Sequence, residues 1–311
     1  MGAQLRVYRR QIKSTQSTQK ITKAMELIAA SRIVKAQNRV NAARPYADEL
    51  TRALRALGTD TSLKHPLLTG TENPKRTGIL VVTSDRGLAG GYSANAIKKA
   101  NELSDEVRAA GKEPVLYVIG RKGVGFYRFR QIAIAESWTG FSEQPTFLDV
   151  RDATETVVSA LEAGSEGQSH DSAGIDELYV VYTRFESMVT QTPVAVQVAP
   201  VRHAEGALVS DDASEQSELG PSYDFEPEPE ELLGALLPRY ISARIFSALL
   251  ESAASESAAR RRAMKSASDN ASDLIKTYTR LANQARQAEI TQEISEIVGG
   301  ADALAAAGSD Q

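Results

Sequence analysis

RYISARIFSALLESAASESAARRRAMKSASDNASDLIKTYTRLANQARQAEITQEISEIV, residues Arg239–Val298, runs for 60 residues without a glycine or a proline. Read as one α-helix, this stretch is about 90 Å long at about 1.5 Å per residue. A typical globular helix has only about 11–12 residues. Pro227 and Pro229 stand in the acidic run Glu226–Glu231 just ahead of it, which suits a helix first turn and the positive end of its dipole. Gly299-Gly300 follows it and predicts a left-handed stop. Inside, Leu237, Ile241, Ile245 and Leu249 form one apolar row, and Leu274, Tyr278 and Leu281 another. Between them lies a small-residue neck (Ala253, Ala254, Ala258, Ala259, Ala263, Ala267) carrying Arg260, Arg261 and Arg262. Small side chains admit a close neighbour but bury too little surface to stabilise a lone helix. The rod needs a partner.

The opposite end of the chain supplies one. From Gln4 to Gly58 the only helix breaker is Pro45, so a second long helix is expected, kinked at that proline. Its apolar residues Leu5, Ile12, Ile21, Met25 and Ile28 are sparse, too thin a stripe for a globular core but enough for a two-helix coil.

Between the two helices the pattern changes. After a polar connector from Thr59 to Arg76, apolar runs at Gly78–Thr83, Pro114–Ile119 and Gln131–Ala135 read as strands. They alternate with helices over Ser93–Ala110, Lys122–Phe129 and Thr146–Ala163. Leu178–Arg184 and Val194–Val201 then read as an antiparallel pair turning near Thr190-Gln191. Such alternation predicts an open α/β sheet with a hairpin at one edge. The expected organisation is an N-terminal coil helix over 1–58, an α/β domain over 77–203, an acidic loop over 204–229 and a C-terminal coil helix over 230–300.

Composition narrows the classes. The chain has 311 residues and a formal charge of −4, with no cysteine, which excludes disulfides and thiolate metal sites. His65, His170 and His203 have no ligand spacing, so no metal or other cofactor is expected. No stretch reads as a membrane span, and MGAQLRVYRRQ lacks a signal-peptide core. The small net charge hides a segregation. Residues 1–55 hold 12 Lys/Arg against 3 Asp/Glu, and residues 204–231 hold 10 Asp/Glu and no Lys/Arg. Surfaces for charged partners follow from that. No stacking aromatics lie beside the basic helix, so nucleic acid is not the expected partner.

SDRGLAGGYS, Ser84–Ser93, follows the first strand. A glycine-rich turn there can cradle a phosphate, but the spacing is not GxGxxG and Tyr92 stands where a phosphate lysine is needed. The glycines fit a tight turn with close strand–helix packing. Asp85 and Arg86 are expected to form a local ion pair or cap, and no nucleophile–base or paired-carboxylate constellation is legible.

ITKAMELIAASR (Ile21–Arg32), SDRGLAGG (Ser84–Gly91) and ARQAEITQEISEIVGGA (Ala285–Ala301) resemble the best-marked segments of the bacterial type of gamma subunit of F-type, proton-translocating ATP synthase. FEPEPEELL and RRAMKSASDNA (Arg261–Ala271) are similar to that family as well. The resemblance implies an antiparallel coiled coil of the terminal helices with a Rossmann-like α/β domain at its base. It implies no catalysis by the chain itself, but a central rotary shaft coupling proton flow to ATP synthesis and hydrolysis. The implied partners are three alpha and three beta subunits, the epsilon subunit and the c-subunit ring, at the cytoplasmic face of the plasma membrane, peripheral and without membrane insertion. Carried over residue by residue, Lys23 and Met25 face an acidic loop of beta. Arg286 and Gln287 meet the beta loop that catches the shaft, supported by Arg260, Thr291 and Glu293. Ala89 stands where many relatives carry cysteine, so no thiol role transfers.

Gly164–Gly174 departs from the resemblance, being longer than the few residues such a connection needs. Glu166 and Asp171 there are the candidates for a regulatory loop touching the c-ring or a stator subunit. The competing reading from residues alone is a cytoplasmic α/β nucleotide-binding enzyme with a coiled-coil dimerisation arm.

Overall fold

The computed structural model describes residues 2–58, 65–165, 174–201 and 229–308. Glu166, Asp171 and the acidic stretch 204–228 lie outside them. The chain divides into two compact units, Met1–Ile28 with Arg261–Gln311, and Ala29–Arg260. Two helices, α1 (Gly2–Gly58) and α6 (Pro229–Gly308), contribute to both.

In the first unit α1 and α6 run antiparallel. Gln19 Nε2 donates to Ser272 Oγ at 2.6 Å, and the Thr22 and Ser268 hydroxyls bond at 2.7 Å, so residue numbers in facing positions sum to about 290. Burial along α1 falls on Leu5, Tyr8, Ile12, Thr15, Gln19, Thr22 and Glu26, and along α6 on Met264, Ser268, Ala271, Ile275, Tyr278, Ala282, Ala285 and Glu289. The spacing alternates between three and four, a heptad seam. Leu5, Ile12 and Tyr278 of the apolar rows expected from sequence lie in it. Ile21, Ile28 and Leu274 instead point outward, and small and polar side chains such as Thr22, Ser268 and Ala271 fill much of the seam. Gly299-Gly300 does not stop α6 either, and the helix continues to Gly308. Two glycines cost about 1 kcal/mol each in a helix interior, and the alanine-rich ADALAAA that follows offsets them. Since residue 291 already faces the start of α1, the last turns of α6 extend past their partner, and residues 290–299 are exposed.

In the second unit five strands form one sheet in the order β3-β2-β1-β4-β5: β1 (Arg76–Val82), β2 (Glu113–Ile119), β3 (Glu136–Trp138), β4 (Glu177–Phe185) and β5 (Gln191–Ala199). All pairings are parallel except β4 with β5. Central β1 is buried from Thr77 onward, as expected of a strand covered on both faces. Ile79 and Val81 face α3 (Tyr92–Ala109) and α4 (Arg121–Phe129), against Ile97, Ala100, Leu103 and Tyr127. Leu80 and Val82 face α5 (Phe147–Ala163) and the long helices, against Val157, Leu50, Leu54, Leu237, Ile241 and Leu249. A short helix, α2 (Pro66–Thr69), adds Leu67 and Leu68 to that side.

The third strand begins at Glu136 rather than spanning Gln131–Ala135. Gln131 takes a left-handed φ of 56° that ends α4, and Ile132 and Ile134 pack on the α3–α4 core without joining the ladder. Their apolarity mimics a strand. One described helix, α6, is long and apolar enough to cross a membrane by length and composition, and half of its most apolar window is buried in the protein. That apolarity serves core packing against the sheet.

Candidate functional site

The turn after β1 sits where the sheet order reverses between β1 and β4, the place where open α/β sheets bind ligands. Asp85 organises it. One carboxylate oxygen accepts from the backbone N–H of Gly140 (2.8 Å) and Ser142 (3.0 Å), the other from that of Arg121 (3.1 Å), the first residue of α4. Its ionic partner is Arg121 at 3.7 Å rather than the adjacent Arg86, which turns to Glu143 at 3.7 Å. Leu88 and Gly90 take left-handed φ values of 63° and 57°, so the GLAGG segment does turn tightly. The closest backbone approach lies elsewhere. At Gly120 (φ 99°) an added Cβ would lie 2.2 Å from the Thr83 carbonyl oxygen, so any side chain would separate β1 from the β2–α4 turn.

The crevice at this switch point is filled by α6. Ser252 Oγ accepts from the Thr183 N–H at 3.2 Å, and Ser255 donates to the Thr183 carbonyl at 2.9 Å. Arg260, 6 % exposed, reaches the carbonyls of Arg86 and Gly87 at 3.3–3.4 Å. It also pairs with Glu256 at 2.7 Å and Glu143 at 3.3 Å. Glu143 in turn holds Arg32 of α1. Burial of Tyr92 beside Glu256 raises its phenol well above the usual range. A chain of alternating charges, Arg32–Glu143–Arg260–Glu256, therefore joins α1, the segment before α5, and α6. Its members are 4 to 228 positions apart in sequence, too scattered for spacing to reveal. The unusual feature that did point here was an Arg-rich tract inside an alanine neck.

The sequence-derived contact residues separate into groups. Arg260 belongs to the buried network of the second unit. The others lie in the first. Lys23 is exposed and paired with Glu26 at 3.0 Å, and Met25 is half-buried beside it. Arg286, Gln287, Thr291 and Glu293 are all exposed. In the antiparallel register Arg286 faces the Leu5 region, about 20 residues or about 30 Å along the coil from Lys23 and Met25. They form two patches, not one. Around them the coil exposes Val7, Ile21, Leu27, Leu274, Ile290, Ile294 and Ile297. Exposed apolar residues clustered in this way mark an interface.

A doubly wound domain whose ligand crevice is occupied by its own C-terminal helix, with a slim coil that exposes apolar and charged residues, defines an interaction subunit. A profile described as ATP synthase matches residues 4–304. A relative from Saccharopolyspora erythraea is 56 % identical over 99 % of this chain and 100 % of its own, and bears the name ATP synthase gamma chain. One from Salinispora arenicola, of the same name, is 56 % identical over 100 % of both chains. A chain in the Euglena gracilis mitochondrial ATP synthase structure of OSCP, F1 and c-ring shares the fold, with a TM-score of 0.66 at 16 % identity over 98 % and 95 % of the two chains. The chain belongs to the ATP synthase gamma chain family.

Proposed function

We infer that this chain is the central rotary shaft of F-type ATP synthase, coupling proton flow to ATP synthesis and hydrolysis without performing catalysis itself. Its coil turns within a sleeve of three alpha and three beta subunits. The α/β domain bears on the epsilon subunit and the c-subunit ring, at the cytoplasmic face of the bacterial plasma membrane. The observation that carries the reading is the coil. Its seam is a narrow heptad line that mixes a few large side chains such as Leu5, Ile12 and Ile275 with small and polar ones, and Ile21, Leu27, Ile28, Leu274, Ile290 and Ile294 are turned outward where a sleeve meets them.

A shaft drives catalytic sites through different states only if it interacts differently with each, since an equilibrium shifts only by differential affinity. The two patches along the coil supply such asymmetry. Lys23 and Met25 meet an acidic beta loop at mid-coil. Arg286 and Gln287, with Thr291 and Glu293, engage the catching loop near the end of α6. Coupling of binding equilibria is reciprocal, so nucleotide-dependent affinity of beta for these patches also biases the shaft. Arg260 acts from the second unit as a positioning residue, holding α6 to the Gly87 turn. Affinity purification of the tagged chain tests the assignment: alpha and beta subunits should accompany it in three-to-one ratios. Recovery of the chain alone, from cells whose other ATP synthase subunits are expressed, would contradict it.

A further inference from the structure

Glu256 is an unusual carboxylate. It is 1 % exposed on α6 at the sheet's switch point. One oxygen pairs with Arg260, while no described donor reaches Oε2 with hydrogen-bond geometry. The groups facing it are known from each packed element: Tyr92 from α3, Ser142 and Glu143 from the segment before α5, and Arg260 from α6 itself. Arg32 of α1 and Arg86 of the turn act through Glu143. Neutral Tyr92 adds no charge, and Glu143 repels. Arg260 is shared, since Glu143 also draws on it. The donors to Glu256 are Arg260 and the Ser142 hydroxyl, and Oε2 is left without one, less than a buried negative charge needs.

We propose that the Glu256 carboxyl is a proton-binding site whose ionisation loosens the joint between α6 and the turn 84–91, so the joint is tight when the group is protonated and looser when it is charged. Removal from water, aided by the Glu143 charge and opposed by the Arg260 charge and by hydrogen bonds from Arg260 and Ser142, pushes this carboxyl up to about 7. A locally opened joint admits water and returns the group toward its ordinary range. The closed form therefore binds the proton more tightly, and its advantage is complete below the ordinary carboxylate range and lost as pH rises through about 7. The proton exchanged is the only ligand required. The contacts at stake are those of Arg260 with the Arg86 and Gly87 carbonyls.

The test is hydrogen exchange by mass spectrometry on the full-length chain from pH 5.5 to 8.5, with rates corrected for intrinsic pH dependence. Peptides covering 84–91 should exchange faster by about tenfold per pH unit below the midpoint and level off above it. Peptides from β2 serve as the internal control and should stay flat. E256Q, which keeps the shape of the neutral carboxyl, should abolish the pH dependence and hold the turn at its low-pH protection. A flat wild-type profile for 84–91 overturns the proposal whether or not the variant folds. So does a profile in E256Q that matches wild type.

Discussion

One helix, α6, serves two different purposes along its length. From Leu233 to Leu250 its inward residues are mostly large and apolar, with Arg244 the one buried charge among them, and Leu237, Ile241 and Ile245 have no exposed surface. From Met264 to Glu289 the inward positions are mostly small or polar, while Leu274, Ile290 and Ile294 look outward. The first stretch is anchored by its own protein's core. The second derives little from its partner helix and leaves its adhesive surface for others. The lesson is that apolar periodicity reports where a helix is buried, but not within which molecule. A chain that works inside a sleeve places its hydrophobic residues on the outside.

That contrast makes quantitative predictions. Leu237→Ala or Ile241→Ala should destabilise the second unit by about 2–5 kcal/mol, the range for truncating a fully buried aliphatic side chain. Leu274→Ala, at 46 % exposure, should stay within about 0.5 kcal/mol. Urea unfolding of the full-length chain measures both. Comparable losses at the two sites would erase the distinction. Removing the organiser of the β1 turn should fall next. Asp85→Ala leaves the N–H groups of Gly140, Ser142 and Arg121 without their acceptor, at about 1–3 kcal/mol for each that stays buried. Because Arg121 and Gly140 are exposed while Ser142 is buried, water recovers part of it, and a total loss of about 2–3 kcal/mol is expected in the same assay.

Overpacking probes the seam. Ala271→Leu adds bulk at a 5 % exposed position and should cost about 1–3 kcal/mol, although leucine is a good helix former. Stabilisation instead would mean that the seam has room. The smallest effect on folding belongs to the exposed patch. Arg286→Ala with Gln287→Ala should change unfolding by no more than about 0.5 kcal/mol, yet lower proton-coupled ATP synthesis and hydrolysis of the assembled enzyme. Wild-type turnover with full coupling would remove both residues from the mechanism.

Much of the architecture was legible. Unbroken helical sequence at both ends, and continuous apolar runs such as GILVV and VLYVI, can hardly form anything but long helices and doubly covered strands. What escaped the reading has a common cause. Ile132 and Ile134 carry strand-like apolarity but pack as a connector. Ile21 and Ile28 sit at helical spacing yet face outward. In each case the residue type is local and the partner is remote. The Arg32–Glu143–Arg260–Glu256 chain is the extreme case, since its two carboxylates and two guanidinium groups are ordinary until the fold encloses them. The proposed contact residues Arg286, Gln287, Thr291 and Glu293 rest on resemblance alone; all four are exposed, and Thr291 and Glu293 lie where α6 runs past the start of α1.

The central claim is that α1 and α6 turn together as one rod. Thr22 and Ser268, whose hydroxyls lie 2.7 Å apart, are suited to replacement by a disulfide-forming pair, T22C with S268C. In the assembled ATP synthase, oxidation should link the two helices within this chain. ATP-driven proton pumping should continue at close to the reduced rate, because a rod that turns as a unit does not need its strands to move past each other. Loss of pumping on oxidation, restored by reduction, would contradict the account.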